Sequence, residues 1–427
     1  MRPRTGSGLI LLGCAGAAAA VLLPATALGA WSSPAWISAR DGAVYSSPDI
    51  AAGSGGRALA AFVRTPAGSA AGAARVQMAS RPTTAARWSP PRVMSGRGAR
   101  APRAAMNGRG DAVVTWVSGR AIIASARRGP AGAWRAARVV VAAGPVQDVR
   151  VAVDRLGRPI VLWSERRGDG FMVRTARRST PAVAWEVRTA RLATPGPTPP
   201  SLAVSRAAAI VAWIEDGAPR ASRTVGGVFE EPVEIASEGR GAPGLGVSAA
   251  GGVLAAWSVD LPGGTPVVQV SERSGPGRGW AASQDTGIGA APLAAVNDRG
   301  DAVLGWALAE AGAPQGIEAS TRRAGGRWAA STVVGRRSCA CALTVGSVAV
   351  DATGTALVGW RRDDGGDVGS GGAAALPAGA GTWQQAPVTP GRTEAAPATA
   401  GAVRGGLVAW AESGRGGGVR AADLVRP

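Results

Sequence analysis

The stretch Pro102–Trp134, PRAAMNGRGDAVVTWVSGRAIIASARRGPAGAW, decides how the rest of the chain is read. It holds three short apolar runs, Arg103–Met106, Asp111–Val117 and Ile122–Arg127. A turn signal cuts off each run, and a tryptophan closes the set. Working outward, an aromatic near the end of the second run recurs as Phe62, Trp116, Trp163, Trp213, Trp257, Trp306, Trp360 and Trp410. The spacings are 54, 47, 50, 44, 49, 54 and 50 residues. Short strands repeating at a period near fifty residues predict a β-propeller, and eight markers predict eight blades.

Each blade is expected to hold four strands, A at the channel to D outside. Strand A is read in Arg103–Met106, Arg150–Val153, Ser201–Val204, Leu293–Val296 and Ser347–Val350, which are poor in bulk where eight strands crowd together. The A–B turns Asn107-Gly108-Arg109-Gly110, Asp154-Arg155-Leu156-Gly157, Asn297-Asp298-Arg299-Gly300 and Asp351-Ala352-Thr353-Gly354 place Asn or Asp first and Gly fourth, as type I turns do. Their side chains are read as turn supports, not metal ligands. Strand B is apolar on both faces, so its tryptophans are expected to wedge between blades. The last repeat stops after strand C, near Val419–Asp423. Residues 31–38, Trp31 to Ser38, look like the missing outer segment, so the amino terminus is expected to complete the last blade and close the ring.

Residues 1–30 read as a secretory signal: Arg2 and Arg4, then an apolar or small run from Gly8 to Leu23, then Ala25-Thr26-Ala27. The propeller is expected over 31–427, secreted and monomeric, with lipid attachment at Cys14 as a lesser alternative. No later run reaches the ~18 apolar residues a membrane helix needs. Cys339 and Cys341 are read as a strained disulfide or free thiols, and Asp363-Asp364-Gly365-Gly366-Asp367 as a solvated loop or a loose calcium loop. No cofactor is indicated.

The chain lacks histidine, which removes Ser-His-Asp and Cys-His chemistry and every His-ligated metal. All 47 basic residues are arginine against 28 acids, a net charge of +19. Such a surface suits a polyanionic glycan or cell-envelope polymer, with no sign of specific nucleic-acid recognition; coding bias explains the same composition. Arg81, Arg127, Arg177, Arg223, Arg273 and Arg322 close strand C in six repeats and are read as a candidate basic rim. The opposite face would carry acidic B–C loops. Candidate channel-mouth residues there are Glu165, Asp216, Asp260, Glu310 and Glu412, with Tyr45 from the loop into the first strand.

The blade pattern of proline, strand, Asn/Asp turn, strand ending in Trp, strand, loop, Trp and strand resembles sialidase-like propellers with bacterial neuraminidase repeats. That resemblance implies an Asp box, Ser-x-Asp-x-Gly-x-x-Trp, in the C–D loops. Gly277 before Trp280 and Gly325 before Trp328 match its glycine, and Thr321 stands at its serine. The Asp position holds Thr83, Gly129, Thr180, Gly275 and Arg323, so the boxes are degenerate. The resemblance further implies a tyrosine nucleophile, a glutamate, an acid/base aspartate and three arginines on a substrate carboxylate. Tyr45 is the single tyrosine, and no motif ties particular Arg or Glu residues to that set. The reading taken is a non-catalytic binding propeller with no catalytic residue assigned; the alternative is a glycoside hydrolase or lyase acting at the channel mouth.

Overall fold

The computed structural model describes residues 30–427 except 143, 179–184, 195–197, 207, 226–227, 276, 311–312, 337–341, 364–369, 389–396, 403–404, 413–416 and 426–427. Eight antiparallel sheets stand around a channel, in chain order, as blades 1 to 8. In blade 2 the strands run Ala99–Met106, Ala112–Ser118, Ala121–Arg127 and Arg138–Ala142, A to D. Blade 8 takes Ala398–Ala402, Gly405–Glu412 and Gly418–Val425 from the carboxyl end. Its outer strand comes from the amino-terminal part of the chain: Trp31 pairs with Leu424, and Trp36 with Arg420. Ring closure by the first segment is therefore as the sequence predicts.

The B-strand aromatics explain how one blade grips the next. Trp116 of blade 2 packs among Leu59, Val76 and Met78 of blade 1. Trp163 packs among Val113, Val117 and Ile122 of blade 2. The rule runs round the ring to Phe62 of blade 1, set against Leu407, Ala409 and Val419 of blade 8. All seven tryptophans and Phe62 are buried. Alternation along strand B makes this possible: Val114 and Trp116 face blade 1 while Val113 and Val117 face blade 3.

The A–B turn side chains support their turns. The Asn107 carboxamide accepts from the Arg109 and Asp111 amides, and its Nδ2 donates to Asp111 and to the Asp154 carbonyl of the next blade. Asn297 repeats this bond for bond, reaching the Asp351 carbonyl. The turn side chain thus also staples successive blades. Cys339, Cys341 and residues 364–367 lie outside the described residues.

Candidate functional site at the channel mouth

Strand A is interrupted at one place in most blades. Residues 47 and 48 together oppose Phe62, and 101 and 102 together oppose Trp116. Residues 291 and 292 oppose Trp306 in the same way. Each is a β-bulge whose first residue is left-handed though not glycine: Ser47 at φ 50°, Ala101 at 49° and Ala291 at 52°. A proline follows in each case. Such backbone costs about 1–3 kcal/mol per residue and is kept where it aims a side chain. Here it turns the next residue, Asp49, Arg103 or Leu293, into the mouth of the channel, a cavity of about 630 Å³.

Most of this mouth is small or apolar: Pro200 and Ser201, Pro243 and Gly244, Leu293, Gly346 and Ser347, Pro397 and Ala398. Blades 1, 2 and 3 break the pattern with Asp49, Arg103, Asp148 and Arg150. Arg150 Nη1 donates to Asp148 Oδ1 at 2.8 Å, and Arg103 Nη2 lies 3.5 Å from the same oxygen. Arg103 is locked further, Nε on the Val149 carbonyl and Nη1 on the Pro102 carbonyl. Asp49 accepts from the Ala104 amide at 2.7 Å. Burial pushes the Asp49 carboxyl above its ordinary value, and this outweighs Arg103 and two backbone N–H donors. Burial likewise lowers the proton affinity of Arg150, with Asp148 opposing. Nε and Nη2 of Arg150 have no partner among the described residues, and the side chain is 41% exposed.

The other end of the channel, a cavity of about 490 Å³, is framed by A–B turns. Arg206 of blade 4 reaches Asp298 of blade 6 there, and Asp298 also takes the Ala249 amide.

The mouth residues expected from sequence mostly stand elsewhere. Tyr45 is 1% exposed, packed edge-on to Phe62 at 5.9 Å, its hydroxyl donating to Asp41. Burial and then Asp41 raise its pKa. Glu165 is fully buried and accepts from Trp163 Nε1, with Arg174 at 3.7 Å. Glu412 meets Trp410 and Arg420 in the same way, and Glu215 meets Trp213 and Arg220. In each, the arginine is the cross-strand partner of the tryptophan. The W-x-E sequence is therefore an indole clamp inside the blade contact, which leaves these carboxylates spent. Asp216 occupies a Asp-Gly hairpin turn at φ 52°, exposed, and Asp260 pairs with Arg240. Glu310 ends strand B of blade 6, and its side chain lies outside what the structure describes.

The six C-strand arginines do not form one rim. Counting from the cross-strand partner of the B aromatic, Arg81, Arg127, Arg273 and Arg322 stand four residues on. Arg177 and Arg223 stand three residues on, a one-residue slip that turns a strand residue to the other face. Arg178 and Thr224 hold the common position instead. Arg81, Arg127 and Arg223 are buried. Arg81, Arg127 and Arg322 stack on Trp88, Trp134 and Trp328 of their own blades. Arg81 further pairs with Asp423, Arg322 with Glu272, and Arg223 and Arg273 with Glu230. Arg177 bonds Asp154.

The mouth charges that sequence reading missed had one signal. Asp49, Arg103, Asp148 and Arg150 are charges in strands otherwise rich in small and apolar residues, and they occur in three successive repeats.

No protein-family profile matches the sequence, and no curated protein matches it. Solved structures similar to this chain include the β-propeller domain of the trilobed protease from Pyrococcus furiosus, at 10% identity and TM-score 0.46, covering 80% of this chain and 95% of that one. The NanB sialidase from Streptococcus pneumoniae is similar at 8% identity and TM-score 0.40, over 79% and 68%. The acylaminoacyl peptidase of Pyrococcus horikoshii is similar at 9% and 0.45, over 86% and 57%. Sialidases and other propellers thus stand side by side, and none of these likenesses bears on activity.

Proposed function

We propose that the protein is a non-catalytic, extracellular binding propeller that seats an acidic group of a glycan or cell-envelope polymer in the channel mouth. The observation that supports this reading is the break in repeat symmetry. An eightfold scaffold needs no charge at the mouth, yet three adjacent blades place two arginines and two aspartates there. Arg150 keeps Nε and Nη2 for a ligand, the fork that takes a carboxylate, sulfate or phosphate through two parallel bonds. Asp148 holds both guanidiniums in place before a ligand arrives. A tyrosine-based glycosidase mechanism has no support from Tyr45, buried in the core with its hydroxyl donating to Asp41. Extracellular placement rests on the amino-terminal apolar run alone.

The test is calorimetric titration with acidic oligosaccharides such as oligogalacturonate and with a neutral oligosaccharide of equal length. Binding of the acidic ligand, weakened about tenfold or more in Arg150→Gln as loss of a charge-assisted pair predicts, supports the reading. Equal affinity for the neutral sugar, or turnover of a fluorogenic glycoside abolished in Asp49→Asn, overturns it in favour of a hydrolase.

A further inference from the structure

The two faces of the disc are built from different loops. Strands alternate in direction, so A–B turns and C–D loops open on one face, and B–C and D–A loops on the other, which holds the channel mouth. On the first face one A–B turn departs from its fellows. The third turn residue is Arg109 in blade 2, Arg299 in blade 6 and Thr353 in blade 7, but Leu156 in blade 3. The Leu156 amide donates to Asp154 Oδ1 at 2.8 Å, and its carbonyl accepts from Arg128 Nη1 at 2.6 Å. Its backbone is thus fixed, yet the residue is 54% exposed. The turn makes no demand for leucine, because Thr353 gives the same amide bond to Asp351 in blade 7.

Guanidiniums surround this leucine. Besides Arg128, Arg158 Nε and Arg177 Nη2 reach Asp154 Oδ2 at 2.6 and 2.9 Å. Arg155 precedes the leucine and is exposed. Arg109 is exposed on the neighbouring turn, whose Asn107 bonds the Asp154 carbonyl at 2.8 Å. The acids at hand are Asp154 and Asp111, both buried, and Glu186, exposed across the strand from Arg177. Asp111 is taken up by Asn107 Nδ2 and the Gly129 amide. Five arginines above two buried carboxylates and beside one exposed carboxylate leave this surface cationic.

The next blade adds a second apolar tip on the same face. The C–D hairpin of blade 4 pairs Val225 with Val228, 48% and 63% exposed. Phe229 anchors the hairpin against the contact between blades 3 and 4. Among the described residues, the other large apolar side chains left exposed lie along strands A and D or, for Leu261, in a B–C loop of the opposite face.

We infer that blades 3 and 4 dock this face onto a bilayer surface rich in anionic lipid. The arginines lie among the headgroups, and Leu156, Val225 and Val228 dip into the boundary beneath them. Interfacial binding of this kind draws on buried apolar area together with attraction to anionic lipid. Each arginine held near such a surface strengthens partitioning about fivefold. A soluble polyanion would engage the arginines and leave three apolar tips in water, so the pairing of charge with exposed apolar tips selects the bilayer. Docking by this face leaves the channel mouth on the opposite side open.

The experiment co-sediments the full chain with vesicles of equal parts phosphatidylglycerol and phosphatidylcholine, and with vesicles of phosphatidylcholine alone. The quantity read is the ratio of anionic to neutral partitioning, in which the apolar run at residues 8–23, common to all variants, cancels. Wild type is expected to favour the anionic vesicles, less so at high salt. Leu156→Thr/Val225→Ser/Val228→Ser should lower the ratio about tenfold while leaving retention on heparin and the melting temperature unchanged. Arg109→Gln/Arg155→Gln should lower it about tenfold or more. The control Arg120→Gln/Leu261→Ser places the same kinds of change in B–C loops of the opposite face and should partition as wild type. Equal partitioning of wild type to both vesicles, an unchanged ratio in the apolar variant, or an equal loss in the control overturns the inference. A loss of heparin retention in the apolar variant that matches its loss on vesicles overturns it too, in favour of a soluble polyanion.

Discussion

Replacing Glu165 with alanine should be among the most damaging single changes in the molecule, and the same change at Glu412 and Glu215 should grade downward. Glu165 is fully buried; its carboxylate takes the Trp163 indole N–H at 2.8 Å and the Gly144 amide at 3.1 Å, facing Arg167 and Arg174. Alanine leaves an indole N–H and a half-buried guanidinium with no acceptor between two blades. Removing one partner of a buried ion pair costs about 3–5 kcal/mol, because the other charge stays desolvated. The Glu412 side chain is 13% exposed and that of Glu215 26%, each with one indole and one arginine. Water can reach the orphaned groups there, so the cost should fall to about 1 kcal/mol at Glu215, with Glu412 between. Glu165→Gln keeps an acceptor for the indole and loses only the charge, so it should sit below Glu165→Ala. Equilibrium urea unfolding followed by tryptophan emission gives the comparison, with constant m-value as the check on a common mechanism. Equal costs at the three glutamates, or less than about 1.5 kcal/mol at Glu165, would refute the indole-clamp reasoning.

Asp423→Ala should cost about 3 kcal/mol by stranding Arg81, 5% exposed at the ring closure, whereas Arg81→Met with Asp423→Leu should stay within about 1 kcal/mol of wild type in the same assay. Gly372→Ala should cost about 1–3 kcal/mol, since a Cβ there would lie 2.5 Å from the Trp360 ring; an unchanged melting temperature would contradict that packing. Burial raises the carboxyls of Asp154 and Asp301, but bonds from Arg158 and backbone amides, and from Asn297 and Ala324, outweigh it and hold both below the ordinary 3.8. Their stabilisation is complete above the unfolded value and is lost as pH falls through the lowered native values, so acid melting should shift less steeply in Asp154→Asn. Asp49 carries the opposite sign: its raised carboxyl makes stability fall as pH climbs from 3.8 to its native value, and Asp49→Asn should remove that slope in a pH series of melting temperatures.

The repeat was legible because one physical demand recurs. Every blade needs a bulky aromatic in its second strand to fill the wedge toward its predecessor, so Phe62 to Trp410 mark the blades by spacing alone. Closure was legible for a related reason: blade 8 stops after strand C, and residues 31–38 match what it lacks. The sites were not, because they depend on register and on neighbours far apart in the chain. Arg177 looks like Arg127 in the sequence, but a slip of one residue sends it to the other face of its sheet. Glu165 reads as a loop acid until the cross-strand pairing of Trp163 with Arg174 places it between an indole and a guanidinium. Asp49, Arg103 and Asp148 come from three different blades, and only the closed ring, with strand A kinked opposite the aromatic in blades 1 and 2, brings them to one mouth. Spacing along a chain encodes what every repeat shares; side-chain direction and contact between repeats arise only once strands pair and blades pack.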